Sequence, residues 1–144
     1  MGGIHGALGL AVLAANGLAG VWGGIAWLRG RPSQAFWYLL RAAQVIVVVE
    51  VVVGAVLLAQ GRPSPSSLHL VYGIAPLVVA LVSEGMRIGA AQSELERAGD
   101  LEGLSRGEQI AVARQVVLRE MAVMSVGALV IVSVALRAAF GNGG

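Results

Sequence analysis

The sequence predicts an all-α fold: a polytopic membrane protein built as a bundle of four transmembrane helices. Three observations predict it. Over 144 residues the mean hydropathy is +0.81, 57% of residues are hydrophobic and only 12% are charged, whereas a water-soluble domain carries about 25% charged residues. The apolar residues fall into four stretches, each long enough for the roughly 20 residues that a spanning helix needs. Prolines and polar segments separate these stretches, so lipid is the solvent for most of the chain.

The first span covers about 4–28. No basic residue precedes it and it is longer than the apolar core of a signal peptide, so it reads as a retained helix. Pro32 breaks the chain before the second span, about 35–59, because proline cannot continue a helix interior. Pro63 and Pro65, with Ser64, Ser66 and Ser67, form the second connection. The third span, about 68–88, carries Pro76 inside it, which predicts a kink. A polar connection follows over about 89–120. Within it, Ser105-Arg106-Gly107-Glu108 has the spacing of a capping box, so a helix should begin there and run into the fourth span, about 121–139. The whole of 1–144 reads as one domain.

All ten basic residues are arginines, and their placement predicts orientation. Arg29, Arg31, Arg41, Arg87, Arg97, Arg106, Arg114 and Arg119 flank the first and third connections, against Arg62 and Arg137 elsewhere. Positive charge is retained on the cytoplasmic side, so both termini are expected outside. Trp22, Trp27, Trp37 and Tyr38 cluster near the first connection as an interfacial belt. Arginine without lysine, with abundant Ala, Val and Gly, points to a bacterial cytoplasmic (inner) membrane. The absence of cysteine excludes disulfides, thiolate metal sites and cysteine-linked haem. No nucleic-acid motif, phosphate loop or solenoid repeat is present.

Ala7, Ala11, Ala15, Ala19 and Gly23 recur every four residues, and Gly20 with Gly24 adds a GxxxG pair. Small residues at this spacing let helices approach closely in lipid. They serve either bundle packing or a homodimer face, and the sequence does not separate the two.

His5 and His69 are the only histidines, and each opens an odd-numbered span. The topology puts both in the outer leaflet at similar depth. Each has a glycine four residues on, Gly9 and Gly73, which lies on the same helix face one turn deeper. A flat macrocycle needs this arrangement: an imidazole for the iron and no bulky side chain beneath. Two imidazoles from facing helices would make a six-coordinate haem b suited to electron transfer. Against this stand the ordinary use of histidine at membrane boundaries and the abundance of glycine.

Glu50 sits within Val47-Val48-Val49-Glu50-Val51-Val52-Val53, about 15 Å from the outer end at 1.5 Å per residue. A charge at that depth costs on the order of 3 kcal/mol, so it reads as a proton or ligand contact. The plainer reading is a neutral clasp, with Asn16 as a candidate partner. Glu84 and Arg87 read as a local headgroup ion pair. Arg62 would meet a haem propionate or anchor the interface.

The run Gln44-Val45-Ile46-Val47-Val48-Val49-Glu50-Val51-Val52-Val53-Gly54-Ala55, followed by Ser67-Leu68-His69-Leu70, resembles one four-helix half of the haem A synthase family. That resemblance covers about a third of the chain and implies b-type haem on histidines with glycine at i+4. Two features depart from it. The family carries an arginine directly after a ligand histidine, where this chain has Gly6 and Leu70. The family's acidic residue before a ligand histidine is also missing. The resemblance therefore implies haem binding rather than haem modification.

The expected function is a membrane b-type cytochrome with His5 and His69 as axial ligands. It would transfer electrons or carry haem for a respiratory assembly rather than act as a stand-alone enzyme. A homodimer, respiratory-complex subunits and a quinone are the partners such a protein would meet. A cofactor-free accessory subunit, or a small transporter using Glu50, are the rival readings.

Overall fold

The structure, a computed structural model, describes residues 3–62 and 67–140. Four helices account for nearly all of them: α1 (Ile4–Leu28), α2 (Gln34–Ala59), α3 (Ser67–Ala98) and α4 (Arg106–Phe140). Each is long and apolar enough to cross a bilayer. They alternate up and down, with α1 against α2 and α4, and α3 chiefly against α4. The α2–α3 seam is the thinnest. No strand occurs among the described residues. The proline–serine break at Pro63, Ser64, Pro65 and Ser66 lies outside the described residues.

Local chemistry sets the helix ends. After α1, Gly30 adopts φ +61 and donates to the Trp27 carbonyl, while Arg31 donates to the Ala26 carbonyl. After α2, Gly61 at φ +77 donates to Leu58 and Arg62 donates to Leu57. Both are Schellman closures, whose left-handed residue is usually glycine because it lacks a Cβ. Ser33 caps α2 by accepting from the Phe36 N–H at 3.2 Å, and it also accepts from Trp22 Nε1 at 3.0 Å. The predicted capping box is present at α4. Ser105 N–H donates to Glu108 Oε2 at 2.8 Å, and Glu108 N–H donates to Ser105 Oγ at 3.4 Å.

The third span departs from expectation in its length. α3 does not stop near residue 88 but continues to Ala98, unbroken through the buried Pro76. The connection to α4 shortens to residues 99–105, and most of the polar segment is helix. At 1.5 Å per residue, α3 and α4 measure about 48 and 52 Å, so both outrun a hydrocarbon core of about 30 Å. Arg119 of α4 binds Glu94 of α3 at 2.9 Å and stitches this extended hairpin together, while Arg97 pairs with Glu94 within α3 at 2.9 Å.

Two apolar clusters form the core. Phe36, Leu40, Met121, Met124 and Ala128 occupy the arginine-rich end. Val12, Val47, Ala80 and Ile131, one from each helix, form a layer nearer the other end. The small residues of α1 serve the bundle. Any Cβ at Gly20 would overlap Leu129, and one at Gly23 would overlap Ser125 and Phe36, whereas Gly24 has no such neighbour within 4 Å. Leu18, Val52, Leu81 and Val126 are among many large apolar side chains left exposed, as expected where lipid replaces water.

Candidate functional site

The antiparallel register of α1 and α2 builds one end of the bundle. Gly54 faces His5, with a hypothetical Cβ 3.5 Å from His5 Cε1. One turn deeper, Gly9 faces Glu50, with a hypothetical Cβ 3.2 Å from Glu50 Oε1. His69 arrives from the start of α3. Its ring centroid lies 5.8 Å from that of His5, with the planes at 72°. Three chain-distant residues, His5, Glu50 and His69, thus gather at one end of the bundle.

His5 and His69 come together as expected, but the glycines divide. Gly73 is open, with no qualifying neighbour within 4 Å of a Cβ placed there. The space beside Gly9 is not open; the Glu50 carboxylate fills it. Gly54, which was not singled out, is the small residue beside His5. The pattern Glu50-x-x-x-Gly54 on one helix face was the available signal, since Gly54 lies one turn above the carboxylate. Arg62 stands just beyond α2 and is exposed.

Glu50 is also shallower than its place in α2 suggests. α1 begins near the level of Gly54, so Glu50 lies opposite Gly9, about 7–8 Å below the start of α1. The proposed clasp with Asn16 is corrected. Asn16 Nδ2 donates to the Val12 carbonyl of its own helix at 2.9 Å, and its side chain lies beyond the Val12–Val47 layer. Seven residues separate Asn16 from Gly9, about 10 Å along the axis, which is too far for a hydrogen bond to Glu50.

The other end carries a cluster missed in the sequence beyond its Glu84–Arg87 pair. Glu84 accepts from Arg41 at 2.5 Å, from Gln44 at 2.8 Å and from Arg87 at 2.8 Å. Arg87 also reaches Glu120 at 2.7 Å and stands 5.9 Å above the Trp37 ring. The cluster ties α2, α3 and α4 together. The i,i+3 spacing of 41 and 44 on α2, and of 84 and 87 on α3, puts each pair on one face of its own helix, but only the packing of α2, α3 and α4 brings them together.

The two ends have different chemical capacity. Each ion in the Arg41–Glu84–Arg87–Glu120 cluster is matched by another. At the histidine end, His5 Nδ1 is buried without a hydrogen-bond partner. Such an orphaned nitrogen is costly unless something satisfies it. Among the described residues, no three His or acidic side chains lie close enough to hold a metal ion. A site with two imidazoles is too poor in ligands for a four-coordinate structural zinc. It suits a centre that brings its own equatorial donors. The observed 5.8 Å separation and 72° interplanar angle are those of two rings in edge-to-face contact.

No family model, curated protein or solved structure matches the chain.

Proposed function

We propose that the protein is a membrane-embedded b-type haem-binding protein in which His5 and His69 are the axial ligands. The observation that carries this reading is the meeting of the chain's only two histidines, on α1 and α3, with ring centroids 5.8 Å apart. The buried, unpartnered His5 Nδ1 supports it. When bound, the haem would supply one-electron chemistry. The protein's part is to hold and orient. α1 and α3 hold the two rings, and Glu50 lies one turn deeper, against Gly9. Gly73 is exposed on α3 and carries no side chain that would block a ring on that face. A respiratory assembly is the natural setting for an electron carrier of this kind.

The arginine distribution supports a bacterial cytoplasmic membrane with both termini outside. A reporter fused to the C-terminus should behave as extracytoplasmic, and one inserted at Gly99 as cytoplasmic. The reverse pattern would invert the assignment.

The direct test is a reduced-minus-oxidised spectrum of protein purified from cells supplied with haem precursor. A low-spin b-type spectrum is expected. His5→Ala and His69→Ala should each abolish it or convert it to a five-coordinate form. Protein that carries no haem, or a spectrum unchanged in both variants, would reject the reading in favour of a cofactor-free accessory subunit.

A further inference from the structure

Between the two ends of the bundle, the polar and apolar residues lie in layers one helical turn apart. Gly9 and Glu50 lie above Val12 and Val47, which with Ala80 and Ile131 form a four-helix apolar layer. One turn further on, Asn16, Gln44, Ser83 and Gly127 line a cavity of about 10 Å³. Asn16 is 1% exposed and Ser83 is 6% exposed, so two polar side chains are buried at its wall. Only one of the two Nδ2 protons of Asn16 is needed for Val12, which leaves the rest of the amide for the cavity.

A cavity takes a water when it has about one water's volume and two to four polar partners. This one has about that volume, with Asn16, Gln44 and Ser83 as partners. Gln44 also donates to Glu84, which is joined to Arg41 and Arg87. We infer that the cavity binds one water molecule, which carries the arginine-end cluster as a polar column to Asn16 and stops one apolar layer short of the histidine cluster. The column is one-sided. Its barrier is the layer of Val12, Val47, Ala80 and Ile131. This inference does not depend on haem being bound.

Two buried methionines supply the test without any variant. Met121 and Met124 are both almost fully buried, at 0% and 2%, yet only Met124 lines the cavity. Radicals produced by X-ray irradiation at a bound water oxidise the side chains beside it. In the native protein, Met124 should be labelled severalfold faster than Met121, and Asn16→Val should remove the difference. Equal protection of the two methionines in native protein would overturn the inference.

The one-sidedness has its own test in phosphatidylcholine vesicles containing trapped pyranine and a potassium gradient set by valinomycin. Native protein should hold protons back. Val47→Asn should admit them severalfold faster, and adding Asn16→Val to that variant should restore the barrier. A folded Val47→Asn protein as tight as native, or a leak indifferent to Asn16→Val, would refute the column.

Discussion

The two ends of the bundle solve the problem of polar groups near lipid in opposite ways. At the arginine end, Glu84 and Glu120 are each held by arginine, and Glu84 takes three side-chain donors from two helices. The charges are numerous but mutually satisfied. At the histidine end there are fewer polar groups, yet His5 keeps a buried nitrogen without a partner. A self-satisfied cluster contributes to holding helices in place, whereas an incomplete one is where an outside group finds a partner. Ser125 Oγ, beside Phe36 in the arginine-side half, is the other buried side-chain atom without a partner among the described residues, so the contrast lies in the kind of group left open, an imidazole nitrogen against a hydroxyl.

The sharpest way to break this contrast is Gly73→Leu. It leaves both histidines intact and adds bulk where the structure has open space. If haem is bound as proposed, the variant should lose it almost completely and melt like native apoprotein, read from the spectrum and melting curves. Retention of the full spectrum would move the ring away from α3.

A smaller effect separates the ends by stability. Glu84→Ala deprives Arg41, Arg87 and Gln44 of a shared acceptor. Breaking a buried ion pair costs about 3–5 kcal/mol, and the partial exposure of these side chains reduces that to about 2 kcal/mol. Glu50→Gln should change stability by less than about 1 kcal/mol, since an amide keeps most of the hydrogen-bonding capacity. Denaturation in a fixed detergent compares them. A larger loss for Glu50→Gln than for Glu84→Ala would make the histidine end the structural one.

A third comparison concerns the packing that joins the two ends. Gly23→Ala would force a methyl into Ser125 and Phe36, an overpacking cost of about 1–3 kcal/mol. Gly24→Ala meets nothing within 4 Å and should be neutral or stabilising by up to about 1 kcal/mol. Equal costs for the neighbours would show that Gly24 also carries a contact, such as one with a second copy.

Much of the fold was legible because hydropathy, helix breakers and span length are properties of consecutive residues. The four spans, the cap at Ser105 and the shared end of His5 and His69 all follow from counting along the chain. What the sequence left obscure depends on the register between helices. Gly9 looks like an empty space until α2 brings Glu50 opposite it. Asn16 looks like a partner for Glu50 until the Val12–Val47 layer comes between them. The length of α3 was hidden for a different reason. Beyond residue 88 the helix is polar and leaves no hydropathy signal, although Ala90, Ala91, Glu94, Glu96 and Arg97 are good helix formers. Glu84 and Arg87 were visible as a pair, while Arg41 and Glu120 join them only through tertiary packing.

The unequal helix lengths make the molecule lopsided. α1 and α2 have 25 and 26 residues, close to what a bilayer covers, while α3 and α4 have 32 and 35. The surplus of both long helices lies at their joined end, as a two-helix handle tied across by Glu94 and Arg119. In a detergent micelle the belt would cover most of the apolar flanks and leave this handle as the largest ordered surface in water. An antibody raised against the folded protein, a protease probing it or a lattice contact in a crystal would meet the handle first, at its turn over residues 99–105.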